Sequence, residues 1–376
     1  MNYRKFGKTG FTVSALGFGT MRLPTINNDA ANINEQEAIK MLRYAIDNGL
    51  NYVDTAYPYH RGNSETLVGK ALKDGYRQKT AIATKLPAWL IESQADMTLK
   101  FEEQLKKLQT DYVDFYLLHS LNKVTWEKMV ELDYFSWAEK MVAQGKIRFL
   151  GFSFHDEFTV FKSIIDYYEK WDFAQIQYNY LDVNYQAGLR GLKYASSKGL
   201  AVVIMEPLRG GELANMPREI LSVFEKNSIR RTPVEWALSW LWNQPEVSVV
   251  LSGMSTLEQV EQNIKFADKS HIDMLSQEEI NSFSEVRKLM EELRPIACTG
   301  CQYCLPCTVG INIPGIFDIY NKGYLFGQME KAKARYSFLD TKADSCIKCG
   351  DCETKCPQKL PIRDLMEKIS KEFGNE

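Results

Sequence analysis

NEQEAIKMLRYAIDNGLNYVDTAYPYH, residues 34–60, carries the two patterns from which the fold of this chain is read. Its first half has the period of a helix: Asn34 and Glu37 are placed as a capping box, Ile39, Leu42 and Ile46 share a face, and Gly49 lies just past the end. Its second half, NYVDTA, is a short strand-like run that ends on an ionisable group, Asp54. The alternation then repeats. A helix is expected near SETLVGKALK (64–73), a strand at TAIATKL (80–86), a helix at ADMTLKFEEQLKKL (95–108) with Met97, Phe101, Leu105 and Leu108 at helical spacing, and a strand at YVDFYLLH (112–119). IRFLGFS (147–153), FAQIQYN (173–179), LAVVIME (200–206) and VSVVLSG (247–253) read as buried strands separated by helices such as TPVEWALSWLW (232–242), with Pro233 at its start. VSALGFG (13–19) makes the count eight.

Eight strands alternating with helices over about 260 residues suit a closed parallel (β/α)8 TIM barrel, although a doubly wound open sheet has the same local pattern. The ionisable residues add a constraint. Asp54, Lys85 and His119 each stand at the C-terminal end of a successive expected strand, with Tyr57 and Tyr59 on the loop after Asp54. In a barrel those ends converge on one mouth. Singly, each has an ordinary use: the Asp caps a helix, the Lys snorkels, the His packs at a rim. Jointly they form a chemical set. An ammonium beside a phenol stabilises the phenolate and lowers its pKa, the carboxylate keeps the lysine charged, and an imidazole fixes a carbonyl oxygen while the tyrosine delivers a proton to it.

DTAYPYHRGNSE (54–65), ATKL (83–86) and YLLHS (116–120) resemble the signature segments of the aldo-keto reductases. The resemblance runs to about QVEQNIKF (259–266) and implies a barrel that carries NADPH or NADH without a Gly-rich Rossmann loop. It implies a catalytic tetrad of Asp54, Tyr59, Lys85 and His119, with Tyr59 rather than Tyr57 as proton donor. It also places Gly19, Thr20 and Met21 on the first-strand loop of the cofactor site, and Ser153 and Gln175 against the nicotinamide amide. Two positions depart from the family: Phe154 stands where an asparagine is usual, and Met205 where a stacking tyrosine is common. In LSGMSTLEQVEQN (251–263), Ser255 reads as an N-cap with Glu258 three residues later, offering free N–H groups to a phosphate, and Gln262 and Asn263 match adenine-side positions. Gly253 and Gln259 fall where NADPH-preferring relatives carry Lys and Arg, and Arg209 is a candidate to supply the missing charge. Trp89 and His60, next to Lys85 and Tyr59, are candidates for the wall of a pocket taking a small carbonyl or alcohol substrate.

All eight cysteines lie in the last quarter of the chain. Cys346, Cys349, Cys352 and Cys356, followed by Pro357, repeat the bacterial ferredoxin run, in which the fourth thiolate crosses to the other cluster; Cys298, Cys301, Cys304 and Cys307 form a looser run. The crossing rule assigns Cys298, Cys301, Cys304 and Cys356 to one [4Fe–4S] cluster and Cys346, Cys349, Cys352 and Cys307 to a second. Two zinc sites are the competing ligand set, and clusters that only staple a small domain are the plainer use. The expected architecture is therefore a barrel over 1–270, a connecting helix over 271–294 from LSQEEINSFSEVRKLMEEL (275–293), and a small α-helical ferredoxin-like iron–sulfur domain over 295–376.

Composition sets the surroundings. A net charge of −2, 45% hydrophobic residues and no basic tract argue against nucleic acid or an anionic membrane as partner. The first residues lack the apolar block of a signal peptide, so a cytoplasmic location is expected. Two functional classes fit: an oxidoreductase whose clusters exchange electrons with a partner protein, or a ferredoxin-like carrier for which the barrel is a docking body.

Overall fold

The computed structural model describes residues 1–374. All eight expected strands form, and they close. In chain order they are β3 (Leu16–Gly19), β4 (Tyr52–Asp54), β5 (Ala81–Leu86), β6 (Val113–Leu121), β7 (Ile147–Phe154), β8 (Phe173–Gln177), β9 (Ala201–Met205) and β10 (Val247–Gly253). Each pairs in parallel with the next, and β10 returns to β3 through Val250↔Leu16 to Gly253↔Gly19. That last pairing excludes the open sheet.

The first strand needs a correction. VSALGFG is not one element: Val13 and Ser14 belong to β2 (Thr12–Ser14), which pairs antiparallel with β1 (Tyr3–Lys5), and the barrel strand starts only at Leu16. The hairpin has a packing reason. It delivers Phe6, fully buried, into an interior cluster with Tyr52, Phe115, Phe149 and Phe173, its ring 4.6 Å from that of Phe115. These aromatics fill one end of the barrel interior and leave the other end for polar groups.

Outside the strands, the helices bury the faces their periodicity defines. Asn34 caps the helix Glu35–Asp47 by accepting from Glu37 N at 3.3 Å, and Met41, Leu42, Ala45 and Ile46 face the core. The helix Gln94–Leu108 starts at the cap Ser93 and buries Met97, Phe101 and Leu108. Burial of each such side chain favours folding by roughly 1.5–3 kcal/mol. The helix Ser64–Ala71 lies so close that a Cβ on Gly69 would be 2.6 Å from Lys107 O.

The chain divides into two compact units, 1–210 with 234–276, and 211–233 with 277–376. The second therefore takes in the helix Gln277–Glu292 and a segment drawn from the connection between β9 and β10. Side chains explain the grouping: Phe224 packs on Phe283 with ring centroids 5.2 Å apart, Asn227 Nδ2 donates to Ser282 Oγ at 3.0 Å, and Arg231 pairs with Glu279. The rest of this unit is helical, with Ile313–Leu325, Met329–Ser337 and Ile362–Phe373 around a small core of Ile311, Ile313, Ile316, Phe317, Ile362 and Met366, against which cysteines pack.

Candidate active site and cysteine centre

Asp54 ends β4 and lies beside Ala83 of β5 in register, which sets Lys85 two residues nearer the mouth on the next strand. The Lys85 ammonium, fully buried, donates to Asp54 Oδ1 at 2.7 Å and Thr55 O at 2.7 Å, and lies 3.4 Å from the Tyr59 hydroxyl. His119 follows on β6, where the register with β7 shifts and Ser120 takes a left-handed φ of 58°. Its ring meets that of Tyr59 edge-on, centroids 6.1 Å apart, and the Trp89 ring lies 5.1 Å from it. The structure thus brings Asp54, Tyr59, Lys85, His119 and Trp89 together. Tyr57 is elsewhere: its hydroxyl sits 3.0 Å from Lys100 Nζ and 3.2 Å from Glu103. His60 does not line a pocket wall as expected, because Nε2 accepts from Leu23 N and Nδ1 faces Ala30 O, so both nitrogens secure the loop that precedes the first helix.

Charge within this group differs from expectation at one point. Burial, more than any charge, raises the Tyr59 pKa above 10.0; Lys85 pulls it down only in part, and Asp54 pushes it further up. The expected net lowering is therefore overturned in this pocket, and the phenol keeps its proton at neutral pH. For Lys85, burial works against the charged form, but Asp54 and Tyr59 more than offset it, so the ammonium persists. Burial holds His119 well below 6.5, with Lys85 and His155 adding to the effect, so its imidazole is neutral. Sequence reading gave Thr20 only a place on the cofactor loop and missed the other groups that hold this arrangement. Thr20 Oγ1 donates to Asp54 O, and Ser64 Oγ joins Thr20 Oγ1 at 2.7 Å to Thr55 Oγ1 at 2.9 Å, a buried chain of hydroxyls behind the residues that grip Lys85. Behind β5, Gln104 Nε2 donates to Lys85 O at 3.0 Å and to the buried Glu65 at 2.6 Å. Ser64 and Glu65 stand in the quoted HRGNSE, but a spacing signal cannot say what a hydroxyl touches.

In the second unit the eight thiols are unpaired and ring two cavities. One is lined by Cys298, Cys301, Cys304 and Cys356, with Phe317 and Leu360. The other is lined by Cys307, Cys346, Cys349 and Cys352, with Cys304, Ile347 and Arg363. Burial raises the Cys298 thiol, and Cys301 and Cys356 add to that; burial pushes Cys352 up to about 11, with Glu353, Cys346 and Cys349 adding. Among the described residues no three His, Cys, Asp or Glu side chains converge as they would on a single metal ion.

The profile of the aldo/keto reductase family matches residues 15–288. This chain belongs to the aldo/keto reductase family. A probable aldo-keto reductase of Glycine max is 30% identical over 294 residues, covering 69% of this chain and 82% of that protein. The L-galactose dehydrogenase of Arabidopsis thaliana is 29% identical, covering 77% of this chain and 95% of its own. Among solved structures, the holo form of an aldo-keto reductase from Bacillus halodurans superposes with a TM-score of 0.63 at 27% identity, covering 76% of this chain and 96% of that one. An aldo-keto reductase from Klebsiella pneumoniae, in complex with NADP and acetate, gives 0.62 at 27% identity, with 76% and 95% covered. The profile of the 4Fe-4S dicluster domain matches residues 297–361.

Around the mouth of this aldo/keto reductase barrel, the positions matched to the cofactor site are arranged as follows. Gly19 leads into a short turn Thr20–Arg22, where Thr20 is buried and Met21 is 57% exposed. Ser153 Oγ, buried, accepts from Ser120 N at 2.7 Å. Among the described residues, Gln175 Oε1 is buried without a hydrogen-bond partner, and its Nε2 meets the Met205 sulfur at 3.8 Å. Phe154 packs on Phe161 in the outer core, centroids 5.0 Å apart. At the end of β10, Ser255 is not the N-cap. Thr256 caps the helix Leu257–Ala267 by accepting from Gln259 N, while Gln259 Oε1 accepts from Ser255 N. One residue of extended backbone more than the spacing suggested separates strand and helix, which frees Ser255 Oγ to donate to Arg22 O. Asn263 is buried against Ser252 Oγ, and Gln262 lies outside on Glu258. Among the described residues no helix is long and apolar enough to cross a membrane.

Proposed function

We propose that the barrel is a cytoplasmic NAD(P)H-dependent oxidoreductase acting on a small carbonyl or alcohol, and that the second unit carries two [4Fe–4S] clusters that exchange electrons with a partner protein. The observation that carries the barrel reading is the Lys85 ammonium 2.7 Å from Asp54 and 3.4 Å from the Tyr59 hydroxyl. Tyr59, kept protonated by burial, donates its proton to the substrate oxygen; Lys85 stabilises the phenolate left behind; Asp54 keeps Lys85 charged; neutral His119 orients the oxygen. Trp89 walls the substrate side. A bound nicotinamide supplies the hydride. The residues fit such a group, because the orphaned Gln175 amide oxygen and the adjacent Ser153 are the kind of partners a carboxamide needs. Relatives point the same way: one is an L-galactose dehydrogenase, and another is seen in complex with NADP.

The cysteine set also fits. Cys298, Cys301, Cys304 and Cys356 line one cavity and Cys307, Cys346, Cys349 and Cys352, together with Cys304, line the other, so Cys356 joins the first run and Cys307 the second. This is the crossing expected for two cubanes. The ferredoxin run of Cys346, Cys349, Cys352 and Cys356 and the 4Fe-4S dicluster match over 297–361 favour clusters over zinc. Bound clusters supply single electrons.

The decisive experiment is an anaerobic assay with NADH and NADPH over a panel of small aldehydes, comparing the protein with Tyr59→Phe. Loss of roughly 10²–10⁴ in kcat with unchanged dinucleotide binding supports the assignment. Equal turnover by the variant, or no dinucleotide binding by either, removes it.

A further inference from the structure

The segment that leads from the helix Gln277–Glu292 into the first cysteine run is fixed by a side-chain clamp. Asn321, buried on the helix Ile313–Leu325, grips it through both ends of its amide: Oδ1 accepts from Ile296 N at 2.9 Å and Nδ2 donates to Ile296 O at 2.8 Å. Ile296 O also accepts from Cys298 N at 2.8 Å, so the first cysteine is held in place against the helix. Arg294 stands two residues before the clamp. Its Nη1 donates to Cys298 O at 3.2 Å, which turns the side chain back toward the run.

The rest of the guanidinium lacks a partner. Arg294 Nε is buried without a hydrogen bond, and among the described residues no carboxylate pairs with this side chain. A buried cationic donor left in that state is costly, and an anion relieves the cost. The charge of Arg294 is among those felt at the Cys298 sulfur, to which Gly300 N also donates at 3.4 Å. The two thiol cavities differ in their own charges. None of the residues lining the cavity of the first run is ionic apart from its thiols, whereas that of the second includes Asp351, Lys355 and Arg363, the last bound to Glu353 at 2.8 Å. Arg294 therefore brings a cation to a set of thiolates whose cavity has none in its wall.

We propose that Arg294 is the counter-charge of the cluster held by Cys298, Cys301, Cys304 and Cys356, and that it raises the reduction potential of that cluster and not of the other. This rests on the reading of the eight thiols as ligands of two cubanes. A cubane held by thiolates is anionic and gains one more negative charge on reduction, so a fixed cation beside a ligand sulfur favours the reduced form. Net charge and hydrogen bonds to the sulfurs are the levers by which a protein sets such a potential. One side chain outside both cysteine runs thus makes the two clusters unequal electron acceptors.

The test is a redox titration of the full chain with its clusters, reduced stepwise with dithionite and followed by electron paramagnetic resonance, with iron counted in each protein. Arg294→Gln keeps a donor for Cys298 O and removes the charge; Arg294→Lys keeps the charge. Cys356→Ser identifies which signal belongs to the first cluster. In Arg294→Gln the reduced-to-oxidised ratio of that cluster at a given potential is expected to fall about tenfold, a midpoint lower by about 59 mV for one electron, with the second cluster unmoved and Arg294→Lys close to the unsubstituted protein. Loss of the first cluster's iron in Arg294→Gln but not in Arg294→Lys also upholds the proposal. Unmoved midpoints in Arg294→Gln overturn it, as do equal shifts of both clusters or an Arg294→Lys midpoint as low as that of Arg294→Gln. Loss of the same iron in both variants overturns it too, and makes Arg294 a brace for Cys298 O. If the unsubstituted chain gives no cubane signal, the cluster reading fails and takes this inference with it; two cubanes with unmoved midpoints remove this inference alone.

Discussion

Tyr59 shows how far a local rule reaches. Lysine beside a phenol lowers its pKa, and Lys85 does so here, but burial is the larger effect and leaves Tyr59 above 10.0. The sign for catalysis follows. A proton donor works while protonated, so kcat/KM for carbonyl reduction is expected to show no loss from Tyr59 through neutral pH and to fall only on the alkaline side of the ordinary tyrosine range, because burial raises the phenol's pKa. Lys85→Met removes the group that favours the phenolate, so it should shift that alkaline limb upward while lowering the rate. A pH–rate profile of both proteins checks it; an alkaline limb that moves down in the variant contradicts the assignment. The candidate tetrad was legible because Asp54, Lys85 and His119 close successive strands, a one-dimensional signal. The Ser64 hydroxyl chain was not, since its members Thr20, Thr55 and Ser64 come from three segments.

At the scale of elements, the helix Glu35–Asp47 was legible in part: Asn34 caps it by accepting from Glu37 N and Leu42 and Ile46 are buried as read, but Asn34 N donates to Pro24 O rather than closing a capping box, and Ile39 is only half-buried. The misplaced cap is instructive. Ser255 and Thr256 are both good cap residues, and the choice between them was made by Arg22, whose carbonyl takes the Ser255 hydroxyl and leaves Thr256 to the helix. Thr256→Ala should therefore cost about 1 kcal/mol of stability, read by chemical denaturation, whereas Ser255→Ala should spare the cap and loosen the Arg22 turn instead. Equal stability losses in the two variants would show that the cap is shared. The β1–β2 hairpin was illegible for a related reason: three-residue strands carry little periodicity, and what stabilises them is Phe6 reaching an interior lined by strands from across the chain.

The whole molecule joins two units with different kinds of core. The barrel unit is built on extensive apolar packing, whereas the residues after Ile296 have a small core in which cysteines are part of the wall. Such a core relies on what its thiols bind. The crossed assignment makes a count-based prediction. The intact protein should hold about eight irons, and Cys356→Ser and Cys307→Ser should each lose about four, from different clusters distinguishable by electron paramagnetic resonance. If both variants lose the same signal, the crossing is wrong. Removal of iron under anaerobic chelation should cost far-UV helicity from this unit, because the helices Ile313–Leu325 and Ile362–Phe373 meet around the cysteine cavities.

By itself, the order of residues determined the alternation of helix and strand, the ionisable groups at strand ends and the grouping of thiols, because each depends on neighbours a few positions apart. Only the tertiary structure decided that β10 closes on β3, that His60 serves a loop rather than a pocket, and that Thr256 rather than Ser255 caps its helix. These depend on which distant segments are brought into contact and on how deeply each group is buried, and neither quantity is a function of local spacing.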